Sequence, residues 1–213
     1  MKKFLVISIL FALPIIAYLF FASGVNNFAK LPVLTEEVQS LDYFETLEGE
    51  IPSFQHQITI IGFFGANPSH YSGNSLNLAE KIYDKYFKFK DFQVLIVLPD
   101  GSQAQARELK QELEGVVDMR KWKFVFGAPG NIKGLFSSLK TDHSLDQDLA
   151  VPHVFIIDKE GKLRGRKDDE DVGVLYGYDT RSLAQLNDKM NDDVKVILAE
   201  YRLELKKYKA DRK

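Results

Sequence analysis

The amino-acid sequence predicts an α/β sandwich, a central mixed sheet flanked by helices, with an apolar helix ahead of it at the N-terminus. Three observations carry this expectation. Short Ile-, Val- and Phe-rich runs alternate with helical-period segments from His56 onward. Those runs are apolar throughout rather than at every second residue, as in strands covered on both faces. The segment from Arg181 to about Lys209 carries one apolar stripe, the mark of a long closing helix.

The first element is the run Phe4 to Ala22, FLVISILFALPIIAYLFFA, which contains no charge and follows Lys2 and Lys3. As a helix it spans about 28 Å, close to the hydrocarbon thickness of a bilayer. Lysines before it and none directly after place the N-terminus inside and the remainder outside. Residues 1–24 are therefore read as a membrane anchor of the cytoplasmic membrane, with the domain on the periplasmic side. Ala22-Ser23-Gly24 would serve a signal peptidase, but the run is longer than a typical signal core. Residues 25–52, with Pro32 and Pro52, read as a connector that carries some docked aromatics, and 53–213 as the domain.

Within the domain, Gln57 to Phe64 (QITIIGFF) is the first expected strand, and Asn74 to Phe87 has helical spacing. Phe92 to Leu98 is the second strand, closed by Pro99-Asp100-Gly101. A helix follows from Ser102, a plausible N-cap, to Leu113. Trp122 to Phe126 is the third strand and Ile132 to Leu139 a short helix. Val154 to Ile157 is the fourth strand, turning at Asp158-Lys159-Glu160-Gly161. Lys162–Arg166 and Val172–Tyr178 are further strand segments, and Asp179-Thr180 is the expected cap of the last helix.

Composition narrows the function. The chain is 45% apolar and 27% charged with a net charge of -2, so it offers no electrostatic footprint for nucleic acid. Only Tyr201 to Lys213 is clearly basic, read as a solvated helix end. The chain has no cysteine. Disulfides, thiolate nucleophiles and thiolate-ligated metals are therefore excluded for this chain.

The strand order, the strand-to-helix turn Gly65-Ala66-Asn67-Pro68-Ser69-His70-Tyr71 and the segment Val151-Pro152-His153-Val154 together resemble a thioredoxin-like fold. In that resemblance Pro152 is the cis-proline candidate that opens a strand, a position where no ladder donor is needed. With its anchor and connector, the chain resembles the SCO/SenC family, membrane-anchored thioredoxin-like proteins of cytochrome c oxidase assembly and copper delivery. The resemblance implies a CPxxC-like turn plus a distant histidine. Here Asn67 stands at the first cysteine, Pro68 follows it, and Tyr71 stands at the second. Neither replacement is a soft ligand for Cu(I). Two positions compete for the family's histidine. Asp142-His143-Ser144 mimics its local string, whereas counting back from Gly161 reaches Ala150.

The expectation is a non-catalytic, cysteine-free member that docks a protein partner, and the resemblance implies the respiratory oxidase machinery as that partner. The alternative is copper or zinc binding through His70, His143 and His153, the first in the turn and the last beside Pro152. Other motifs lead nowhere. Ser69, His70 and Ser72 are neighbours without the oriented base of a triad. Asp168-Asp169-Glu170-Asp171 lacks the central glycine of a calcium loop. Neither Pro99-Asp100-Gly101-Ser102 nor Gly127-Ala128-Pro129-Gly130 has the remaining residues of a nucleotide-binding loop.

Overall fold

In the computed structural model the described residues are 3, 4, 10–16, 18 and 30–210, without the side chains of 204–210. The expected anchor thus lies largely outside the described residues. Its described part, residues 4, 10–16 and 18, is helical and exposed. Among the described residues no helix is long and apolar enough to cross a membrane.

The domain is built on one mixed sheet. In chain order its strands are β1 (Val33–Thr35), β2 (Glu45–Thr46), β3 (Ile58–Phe64), β4 (Phe92–Pro99), β5 (Trp122–Gly127), β6 (Ala150–Ile157) and β7 (Leu163–Arg164), arranged in space as β1-β7-β6-β3-β4-β5-β2. Strands β3, β4 and β5 run parallel, and β6, β7 and the two edge strands run antiparallel to their neighbours. A small hairpin, β8 (Arg166–Asp169) with β9 (Gly173–Leu175), stands apart, and β10 (Tyr178–Asp179) pairs with β6. The helices are α1 (Ser72–Leu78), α2 (Gln103–Glu114), α3 (Pro129–Ser138) and α4 (Asn191–Ala210). Segments of π-helix continue α1 (Ala79–Tyr83) and precede α4 (Gln185–Met190).

Period-two geometry explains the uninterrupted apolar runs. In β3, Ile58, Ile60 and Phe64 face one core with Ile82, Leu109, Val194 and Ile197. Ile61 and Phe63 face the other core with Ile132, Leu135 and Phe136 of α3. Each inner strand serves two cores, so both parities are mainly apolar, and the buried Gln93 and Thr59 satisfy each other with a hydrogen bond of 2.9 Å.

Two boundaries differ from the sequence reading. The segment expected as a connector supplies both edge strands and buries Leu31, Val38, Leu41 and Phe44, so the domain starts near Leu31 rather than at residue 53. Isolated strands of two or three residues carry too little local periodicity to be recognised. At the helix starts, Ser102 makes no side-chain cap bond. In the last helix the Ser182 Oγ accepts from the Gln185 N–H at 3.2 Å, while Asp179 accepts from the Arg181 N–H at 2.9 Å to hold the preceding turn.

Candidate functional site

The C-terminal end of β3 delivers the chain into a turn that must pass close under the loop before β6. Gly65 makes this possible. Its φ is +68°, and a Cβ there would sit 2.5 Å from the Asp148 carbonyl oxygen. The loop itself is held by Asp146, whose Oδ1 accepts from the N–H groups of Asp148 and Ala150, both at 2.9 Å. After the turn, Pro68–Tyr71 forms one turn of 3-10 helix with Pro68 at its start, where its missing N–H costs nothing.

Tyr71 stacks on Phe64 with ring centroids 4.9 Å apart and planes at 12°. Burial raises its phenol pKa, and the nearby Asp146 carboxylate adds to the rise. The turn thus presents a packed, neutral aromatic ring. Asn67 is exposed and offers an amide to the groove.

The other wall comes from β6 and β10. Between the register pairs Gly62–Val154 and Phe63–Val151, β6 carries Pro152 and His153 as a bulge. The bulge absorbs the missing donor of Pro152, and its carbonyl accepts from both the Thr180 N–H (3.0 Å) and Oγ1 (2.7 Å). Among the described residues no peptide bond is cis, so the Val151–Pro152 bond is trans, unlike the candidate reading of Pro152. Thr180 also accepts at its carbonyl from Asn77 of α1, at 3.0 Å. That bond fixes the next residue, Arg181, over the site. Arg181 pairs with Asp179 through Nη2–Oδ2 at 2.7 Å. Burial opposes ionisation of Asp179, but the Arg181 hydrogen bonds outweigh it and hold the carboxyl below its usual range.

These elements enclose a groove of about 450 Å³ lined by Asn67, His70, Tyr71, Asp146, Asp148 and Arg181, with Phe64 and Pro152 at its base. It presents acidic and basic groups around an apolar floor. Three of its members, Asp146, Asp148 and Arg181, were not singled out from sequence. The only local signal was the Asp-Gln-Asp spacing of an Asx turn at 146–148.

The histidines divide. His143 and His153 stack face to face, centroids 3.9 Å apart and planes at 18°, on the far side of the bulge. His70 lies in the groove instead. Among the described residues no three His, Cys, Asp or Glu side chains come together to hold a metal ion. The expected three-imidazole site is therefore not formed. Stacked rings direct their lone pairs in nearly parallel planes rather than toward one point, so this donor set does not fit copper or zinc. The His153 Nδ1 is buried without a hydrogen-bond partner. Burial, then the neighbouring His143, pushes the His153 pKa down to about 4, so it stays neutral near pH 7.

No family model matches the sequence, and no curated protein matches it. Solved structures do. A candidate electron transport protein from Aquifex aeolicus VF5 aligns with 76% of this chain and 96% of its own, at 14% identity and a TM-score of 0.54. BsSco, a member of the Sco family of cytochrome c oxidase assembly proteins, aligns with 80% of this chain and 98% of its own, at 13% identity and a TM-score of 0.53. At such identities the likeness is one of fold. The chain has a thioredoxin-like α/β fold of the shape found in Sco proteins, built without a single cysteine.

Proposed function

We propose that this chain is a Sco-like protein that works without thiol chemistry, as a docking or assembly factor for a membrane complex. In this reading residues 1–24 anchor it in the cytoplasmic membrane and the domain stands on the periplasmic side. The partner is a respiratory oxidase or its assembly machinery, the class of complex that the Sco family serves. The observation that carries the proposal is Tyr71 stacked on Phe64 in an open groove with charges of both signs. A turn kept only to join a strand to a helix needs no such groove. Aromatic residues and arginine, here Tyr71 and Arg181, are enriched at protein-recognition surfaces. This role asks for no thiol chemistry, and the chain has no cysteine.

The test is genetic and physical together. An Asn67→Ala/Tyr71→Ala double variant should melt near the wild type yet fail to restore oxidase assembly to a deletion strain. Full restoration by a folded double variant would overturn the docking role of the turn.

A further inference from the structure

The end of the domain opposite the groove has a distinct charge organisation. It lies at the start of β3 and β4, where a cleft of about 270 Å³ is lined by Ile58, Phe89, Leu198 and Tyr201 together with Lys90 and Arg202. Phe89 is 45% exposed. Three carboxylates at this end are already engaged. Asp91 pairs with Lys159 at 2.6 Å, Glu160 with Lys162 at 3.1 Å, and Glu200 with Arg164 at 2.7 Å. Lys88, Lys90 and Arg202 are exposed and form no ion pair among the described residues. Helix α4 continues past Arg202 to Ala210, adding about 12 Å of helix beyond the sheet. That stretch and the residues after it read RLELKKYKADRK, with six basic and two acidic residues.

The chain's own N-terminal route leads to the same side. The Arg164 Nε donates to the Leu31 carbonyl at 2.8 Å, and Lys30 lies 3.8 Å from Glu200 on α4. Only eight residues separate Ala22, the end of the apolar run, from Leu31. Fully extended, they reach at most about 29 Å.

We propose that this end of the domain, Phe89 with Lys90, Arg202 and the basic continuation of α4, docks on anionic phospholipid headgroups beside the apolar N-terminal segment. The inference draws on the anchored reading for where the membrane lies, while its charge argument stands alone. Docked in this way, the domain turns the groove at Asn67 and Tyr71 away from the bilayer.

A cysteine-free chain makes the test direct. Single Phe89→Cys and Ser69→Cys variants of the full chain take one fluorophore each, Ser69 being exposed on the opposite end. Each is mixed with vesicles of DOPC alone or of 3:1 DOPC/DOPG, both carrying a headgroup quencher. Quenching at position 89 but not at 69 is expected, and only with DOPG. At about fivefold per basic residue near an anionic surface, a K206E/K207E/K209E variant should lower the docked-to-free ratio by roughly a hundredfold or more. Added salt at 0.5 M should act in the same direction on the unsubstituted chain, which guards against misfolding of the variant. Equal quenching in both lipids, or quenching indifferent to salt and charge reversal, would overturn the proposal. Co-flotation separates the two readings. Failure to float with DOPC refutes the anchor alone if DOPG still binds, and failure with both refutes both.

Discussion

Replacing Gly65 by Ala isolates the contact that shapes the site. The substitution places an L-residue at a φ of +68°, which costs roughly 1–2 kcal/mol. The new methyl would lie 2.5 Å from the Asp148 oxygen and 3.0 Å from the Ala150 Cβ. Asp148 is backbone and cannot rotate aside, so the turn and loop must separate, at about 1–3 kcal/mol for an overpacked contact. The sum is about 2–5 kcal/mol, or a fall in melting temperature of at least about 4 °C for a domain of this size. Chemical denaturation of the full chain in mild detergent measures it, with Gly73→Ala as the control. Gly73 lies within α1 with nothing near its missing Cβ, so that change should stabilise by about 0.5–1 kcal/mol. A Gly65→Ala variant within about 0.5 kcal/mol of wild type would refute the claim that the loop at 146–149 clamps the turn.

Three further outcomes are expected. His153 has a depressed pKa in the fold, about 4 against an ordinary 6.5, with His143 and Arg181 opposing its protonation and Asp179 and Asp142 favouring it. The unfolded chain therefore takes up a proton first as pH falls, and stability should drop between about pH 6.5 and 4, a loss that His153→Gln abolishes; a pH-independent difference between the two proteins would contradict this. Arg164 is buried between Asp158 at 2.9 Å and Glu200 at 2.7 Å, so Arg164→Ala should cost about 3–5 kcal/mol in urea denaturation by stranding the Asp158 carboxylate. Titration with Cu(I), Cu(II) and Zn(II) at neutral pH should give no tight binding, unchanged in a His70→Ala/His143→Ala/His153→Ala variant; calorimetry showing submicromolar affinity lost in that variant would reverse the reading of the histidines.

Strands β3 to β6 and the four main helices were legible because each carries six or more residues of consistent pattern, as in Ile58–Phe64 and Gln103–Glu114. The edge strands were not, because Glu45–Thr46 is a strand only by virtue of Phe126 and Val125 beside it. The same divide runs through the site. Asn67, Pro68 and Tyr71 sit in sequence beside the strand that delivers them. Arg181 and the loop of Asp146 reach the groove through long-range bonds, Thr180 to Pro152 and Ala66 to Asp148, that no local window contains. Likewise, proximity to Pro152 and to the turn suggested that three histidines would meet, but the bulge in β6 turns His153 toward His143 and away from His70.

Both rims of the sheet are closed by residues 33–46, against strands that lie some eighty to one hundred and thirty positions further along. The part of the chain synthesised early is therefore among the last to find its place. Until Trp122–Gly127 and Leu163–Arg164 exist and are paired, Val33–Thr35 and Glu45–Thr46 have nothing to bind. Such distant closures slow folding, because long loops must be ordered before any contact rewards them. A chain threaded N-terminus first through a narrow pore would remain pliable for most of its passage and lock only when its second half has emerged.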